Sequence, residues 1–130
     1  MKQILSNDII NQYMPTLVKC PLFNTLGEPE LRGYLNNAKV IIHSYKKNDF
    51  IALAGDPMEG IGVILEGSAL LTRENVIGQR VIMANLEQSD IFGEALLFSK
   101  QPLWPATIKA TKATKIMFIP LETFIKTLPD

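Results

Sequence analysis

Cysteine and histidine are almost absent from this chain of 130 residues, which has only Cys20 and His43. A single thiol excludes a disulfide within the chain, a four-cysteine zinc site and an iron–sulfur cluster held by four cysteines. No second metal-ligating residue is placed beside His43 by any motif. We therefore expect no metal and no cofactor, a buried structural Cys20 and a structural or surface His43.

The chain also lacks a surplus of charge, because 13 basic residues balance 13 acidic ones. A surface that binds nucleic acid needs an excess of Lys and Arg, so this stretch is not expected to bind DNA by itself. No apolar run is long enough to cross a bilayer, and the N-terminal stretch MKQILSNDIINQYMP has no unbroken apolar core. We expect a soluble, cytoplasmic protein with no membrane partner.

The first part of the chain predicts two helices. Apolar residues recur at helical spacing up to Pro15, which we expect to break or restart the first helix. The triplet Gly27-Glu28-Pro29 marks the start of a second helix. The apolar faces are predicted to carry Ile9, Ile10, Tyr13 and Met14 in the first helix, and Leu31, Tyr34 and Leu35 in the second. We divide the chain into an N-terminal helical segment, residues 1–20, and a domain of residues 21–130.

From Lys39 onward the pattern changes to short β-branched and apolar segments that are separated by turns rich in Gly, Asn and Asp. This spacing predicts an antiparallel β-sandwich or barrel. In TIKATKATKIMF, for example, Ile108 is predicted to point inward and Lys109 outward. GEALLFS inside this region and PLETFIKTLPD after it predict helices instead. The predicted strands are KVIIHSYKK, DFIALAG, GIGVILEG, ALLTREN, QRVIMANLE, ATIKAT and KIMFIP.

The segment GIGVILEG carries close glycines without being a dinucleotide-binding motif. After Gly60 and Gly62, the third glycine, Gly67, comes too late for that motif. The residues that follow predict a strand, a turn and a strand, whereas the motif opens a helix. No paired carboxylates and no nucleophile beside a base are found. The sequence therefore predicts that the chain is not an enzyme.

One stretch, DIFGEALLFSKQPLWPATIKA, has the chemistry of an anion-binding turn. Gly93 precedes a short apolar segment that is predicted to be helical. The free N–H groups of a first helical turn bind anions, and a glycine there lets a ligand approach the backbone. Glu94 can accept hydrogen bonds from the hydroxyl groups of a ligand. The alternative is that Gly93 makes only a tight turn and that Glu94 favours the helix start through the dipole.

From about Pro21 onward the chain resembles the cyclic-nucleotide-binding sensor domain of Crp/Fnr-type bacterial transcription regulators. The matching segments, in order, are PLFNTLGEPEL, YKKNDFIALAGDP, GVILEGSALL, LEQSDIFGEALLF and PATIKATKATKIMFIP. The resemblance implies a mainly β fold with flanking helices, an antiparallel β-roll of jelly-roll type. It also implies that the short helix after FGE is the cassette that binds the phosphate of the ligand.

The resemblance implies a set of ligand-binding residues. Gly93, Glu94 and Ala95 fall on the cassette turn, with Glu94 where the family's acid holds the ribose hydroxyl. The strand positions that line the pocket around base and sugar are Leu71, Met83 and Ala84.

The family's phosphate-binding arginine has no counterpart in this chain. Trp104 stands in its place, and Pro105 stands where the family has a small residue. A shift of one position places Leu103 there instead, and neither Trp104 nor Leu103 is cationic. Lys100 and Lys109 are the nearby cations that could substitute, but Lys109 is expected to point outward. A phosphate buried without a cation is penalised. We therefore expect an effector other than cAMP, an unknown small molecule of apolar or aromatic character.

The resemblance also implies a place for this domain in a larger regulator. The chain stops where the family begins its dimerisation helix, so we expect a homodimer and DNA binding only through a helix-turn-helix that this chain lacks. The effector would control that DNA binding allosterically. One alternative is a cyclic-nucleotide-binding regulatory module of a kinase, channel or transporter. Another is a structural domain without a ligand.

Overall fold

A computed structural model describes residues 2–4, 6–37, 39–58, 60–94 and 103–120. Within these ranges, nine antiparallel strands form two sheets, and two helices pack against one of them. The elements are β1 (Lys2–Ile4), α1 (Asn7–Leu17), α2 (Glu28–Asn37), β2 (Ile41–Tyr45), β3 (Phe50–Ala52), β4 (Gly60–Glu66), β5 (Ala69–Glu74), β6 (Arg80–Leu86), β7 (Ile91–Phe92), β8 (Thr107–Ala110) and β9 (Thr114–Pro120).

The five-stranded sheet has the order β1-β2-β9-β4-β7, and the four-stranded sheet has the order β3-β8-β5-β6. Every pair of neighbouring strands in the two sheets is antiparallel. The predicted mainly β roll is therefore confirmed. The seven predicted strand segments correspond to β2–β6, β8 and β9. The very short β1 and β7 were not predicted.

The central strand β4 separates two hydrophobic cores. Ile61, Val63 and Leu65 point to one side, where they join the buried faces of α1 and α2. Ile64 points to the other side and joins a second core between the two sheets, which also contains Phe92. A strand that is buried on both faces reads as a continuous apolar run, which explains the sequence GIGVIL.

The second helix begins at Glu28, where the sequence predicted its start. Ser6 caps α1, since its side-chain oxygen accepts a hydrogen bond of 3.3 Å from the N–H of Ile9. The expectation that Pro15 breaks this helix is wrong, because α1 continues through Pro15 to Leu17. Burial of Met14 and Leu17 in the first core holds the last turn in place despite the proline. The second helix buries Leu31 and Leu35, as predicted.

The helix predicted from PLETFIKTLPD, and most of the one predicted from GEALLFS, lie outside the described residues. The division at residue 20 stays a prediction. The structure adds that β1 pairs with β2 and that α1 contributes to the first core.

Gly62 provides a test of how tightly the two sheets pack. A Cβ atom at Gly62 would overlap the ring of Phe92, whereas one at Gly33, inside α2, would meet nothing within 4 Å. We expect Gly62→Ala to lower the free energy of unfolding by about 1–3 kcal/mol through overpacking. Gly33→Ala is the control and should raise it by roughly 0.5–1 kcal/mol. Urea unfolding followed by circular dichroism measures both, and equal effects would contradict this packing.

Cys20 gives the fold a dependence on alkaline pH. The residue is fully buried, and burial raises the pKa of its thiol above the ordinary value of 9.0, with Asp90 and Glu94 adding smaller contributions. A raised pKa means that the folded state holds the proton more tightly than the unfolded chain does. The stability contributed by the neutral thiol is therefore present below pH 9 and is lost as pH rises through the folded-state pKa. Unfolding midpoints should fall more steeply above that pH in the native chain than in Cys20→Ala, and parallel curves would argue against burial.

Candidate ligand-binding site

The predicted cassette begins at a tight turn after β7. Gly93 has a φ of +94°, a left-handed conformation that favours glycine. A Cβ atom built on Gly93 would lie 2.8 Å from Cε of Met58 and 3.4 Å from Cζ3 of Trp104. The turn backbone is thus in close contact with the indole ring. Glu94 follows it with an exposed side chain.

Trp104 is a core residue rather than an exposed contact. Only 7% of it is exposed, and its ring lies 5.7 Å from the ring of Phe92, centroid to centroid. Two backbone hydrogen bonds fix its position: the N–H of Gly55 donates to the oxygen of Trp104 at 2.8 Å, and the N–H of Trp104 donates to the oxygen of Asp56 at 2.9 Å. Trp104, which is predicted to stand in the place of the family's arginine, is therefore a rigidly held, neutral ring.

The three strand positions of the predicted site do not share one environment. Leu71 and Ala84 are direct cross-strand partners and therefore share a face of the sheet, and Leu71 packs against the second core. The register then shifts, since Thr72 pairs with Ile82 and leaves Met83 without an opposite residue. Met83 is 53% exposed and is not part of the core that holds Trp104.

Pro105 lies beside a different set of side chains. It is exposed and lines a cavity of about 420 Å³ with Arg73, Arg80 and Thr107. Lys109 points outward, as predicted, because its ammonium group lies 5.7 Å from the centre of the Phe50 ring while Ile108 is buried. Ala95 and Lys100 belong to residues 95–102, which lie outside the described part of the chain.

Neither a metal-binding cluster nor a membrane-spanning helix is found among the described residues. None of their His, Cys, Asp and Glu side chains form a group of three or more that could hold a metal ion. No helix within the described ranges is long and apolar enough to cross a bilayer.

Sequence reasoning missed the residues that position the indole. The ring of Phe92 packs against it at a tilted angle, Met58 lies at the Gly93 turn, and Asp56 anchors its backbone. Next to Asp56, Pro57 pairs with Leu103. Contacts between residues that lie far apart in the sequence leave no trace in local periodicity, so only the order of motifs in the family resemblance could have indicated them.

Comparison with known proteins agrees with this architecture. The family model for the cyclic nucleotide-binding domain matches residues 42–129. The chain is 31% identical over 106 residues to the cAMP-activated global transcriptional regulator CRP of Pasteurella multocida (strain Pm70), which is 79% of this chain and 50% of that protein. The chain thus spans about half the length of this curated relative.

Solved structures extend the similarity at the level of the fold. The sensor domain of the transcriptional regulator DNR from Pseudomonas aeruginosa superimposes with a TM-score of 0.78 at 17% identity, over 92% of this chain and 78% of that one. The regulatory domain of Toxoplasma gondii PKA, crystallised with cAMP, superimposes with a TM-score of 0.79 at 19% identity. This similarity covers 95% of this chain and 46% of that one. The chain belongs to the cyclic nucleotide-binding domain family, as its resemblance to the sensor domains of Crp/Fnr-type regulators predicted.

Proposed function

We propose that this chain is the effector-sensing domain of a Crp/Fnr-type transcription regulator, and that its effector is not held by an arginine–phosphate pair. The observation that carries this proposal is the buried Trp104 in the arginine's place, in contact with the Gly93 turn. The resemblance to CRP, at 31% identity, supports the regulator class. The effector is a small molecule of apolar or aromatic character.

The electrostatics of this place argue against a cyclic nucleotide. A cyclic phosphate that loses its water needs charge-assisted hydrogen bonds, each contributing roughly 1.5–3 kcal/mol. The indole of Trp104 offers no positive charge, and its N–H is a single neutral donor. Its ring edge also lies against the turn whose N–H groups would face a phosphate. In this proposal the indole fills the space that the phosphate takes in nucleotide-binding relatives.

The wider function is also proposed from the family. The effector would bias the cassette turn, and through it a helix-turn-helix in a longer, homodimeric, cytoplasmic protein. The zero net charge of this chain favours DNA contact through another domain. We assign no catalytic role to the chain, whose family is one of ligand-binding domains. The alternative of a kinase, channel or transporter module is supported only by likeness of fold, at 19% identity.

Titration with cyclic nucleotides tests the proposed effector class. We expect neither cAMP nor cGMP to bind the native chain with a Kd below about 1 mM, which is −4.1 kcal/mol. Trp104→Arg restores a cation, so cAMP affinity should rise by roughly one to two orders of magnitude, the equivalent of one charge-assisted contact. Isothermal titration calorimetry measures both.

Trp104→Phe is the matched control, because it reduces the ring without adding charge and should not gain affinity. If Trp104→Arg fails to fold, titration of the native chain with cAMP and cGMP still tests the proposed effector class. Micromolar binding of either nucleotide to the native chain would falsify the proposed effector class.

A pair of glycine substitutions tests whether the indole borders the cassette turn. Gly93 and Gly78 both have left-handed φ angles, +94° and +82°, but a Cβ atom at Gly78 would meet nothing within 4 Å. Replacement by alanine should cost roughly 1–3 kcal/mol of unfolding free energy at either position, because of the left-handed backbone. Only Gly93→Ala crowds Met58 and the indole.

Trp104 is the only tryptophan of the chain, so fluorescence reports on this place alone. We expect the emission maximum to shift in Gly93→Ala and to stay unchanged in Gly78→Ala, because Gly78 lies in the turn between β5 and β6. Unchanged emission in both variants would show that the turn and the ring are not in contact.

A further inference from the structure

A second cavity, separate from the one that Pro105 lines, lies beside Trp104. It has a volume of about 190 Å³ and opens between β2, β9 and the loop of residues 53–57 that follows β3. Four aromatic side chains line it, together with one carboxylate and apolar loop residues. The aromatic residues are His43, Tyr45, Trp104 and Phe118, and the carboxylate belongs to Asp56. Neither Gly93 nor Glu94 is part of this lining.

The aromatic wall is held in place by ring-to-ring contacts. The ring of His43 lies 5.6 Å from that of Phe118 in an edge-to-face arrangement and 6.1 Å from that of Tyr45. Phe92 connects the wall to the indole, at 6.0 Å from Phe118 and 5.7 Å from Trp104. Rings at these distances restrain one another, so the wall is preorganised before any ligand arrives.

The acidic side of the cavity is equally fixed. The 53–57 loop is tied to Trp104 by backbone hydrogen bonds in both directions, and the N–H of Asp56 donates to the oxygen of Leu53 at 3.1 Å. Among the described residues, Asp56 takes part in no ion pair, and no lysine or arginine lines the cavity. Asp56 is thus carried on a rigid loop beside an aromatic wall that includes the imidazole of His43, and neither a lysine nor an arginine lines this cavity.

We propose that this cavity binds a small organic cation, an ammonium head group of about the size of tetramethylammonium. Ring faces attract cations through their quadrupole, and a carboxylate adds direct charge attraction. The volume corresponds to roughly six water molecules at about 30 Å³ each, which suits a compact head group. An anion would meet the charge of Asp56, so the preference for positive charge follows from the lining.

This inference goes beyond the proposed function, because it names a separate site that shares only Trp104 with the cassette place. It holds whether or not a ligand binds beside Gly93. A failure of cation binding would contradict this inference but not the proposed effector class. Binding of a cyclic nucleotide would contradict the proposed effector class but not this inference.

Fluorescence of the single tryptophan tests the site directly. We expect choline to change the emission of Trp104 with a saturable curve and a Kd in the range of about 0.1–10 mM, typical of a small ligand with few contacts. Neohexyl alcohol, the uncharged carbon isostere of choline, should bind at least about fivefold more weakly, since cation–π and charge contacts together contribute roughly 1 kcal/mol or more. Isothermal titration calorimetry on the same samples confirms the affinities.

Two variants separate the charge from the rings. Asp56→Asn keeps the shape of an exposed side chain and should weaken choline at least about fivefold while leaving neohexyl alcohol unchanged. Glu87→Gln removes a carboxylate that lines a different cavity and should change neither ligand. Phe118→Leu removes one ring and should weaken choline with no change in charge.

Three outcomes would overturn the proposal. They are equal affinity for choline and its uncharged isostere, unaltered choline binding in Asp56→Asn, and no choline binding by either method up to about 50 mM, well above millimolar affinity.

Discussion

The missing side chain at Gly62 is the constraint on which the interior of this domain depends. Gly62 on β4 is the cross-strand partner of Phe92 on β7, and the Phe92 ring lies where a Cβ atom would be. In this position the Phe92 ring packs edge-to-face against the Phe118 ring and at a tilted angle against the Trp104 ring. Because β7 leads directly into Gly93, the same contact positions the cassette turn against the indole.

Most of the fold could be predicted from local pattern, and the exceptions have physical causes. The predicted segments include every strand of four or more residues and the three-residue β3, but they miss β1, which has three residues, and β7, which has only two. Their existence depends on partners far along the chain. Pro15 illustrates the same limit, since burial of the last helical turn outweighs the local preference against proline. From the sequence, the glycines of GIGVILEG indicated only that the dinucleotide-binding motif is absent. In the structure, Gly62 leaves room for the ring of Phe92 on the neighbouring strand.

The strand positions of the candidate site came from the family resemblance, and their role in ligand binding stays a prediction. Leu71 and Ala84 face each other across β5 and β6. Met83 does not share their environment, because a bulge at this point leaves the residue without a cross-strand partner. The family resemblance placed Trp104 at the arginine position. That the ring is buried, and faces both the turn and Phe92, depends on tertiary contacts that no local pattern reveals.

Replacing a guanidinium with an indole changes the kind of signal that such a domain can transmit. An arginine binds a phosphate through its positive charge, so the interaction depends on the charge of the ligand. Trp104 instead connects two places through packing: its ring edge borders Gly93, and its backbone is bound to the 53–57 loop beside Asp56. A ligand on the loop side can move the turn only if it prefers one arrangement of the indole over another. By linkage, anything that displaces the Gly93 turn must then change the affinity of the cavity by the same factor. The two backbone hydrogen bonds between Trp104 and the 53–57 loop are the contacts through which such a coupling would pass.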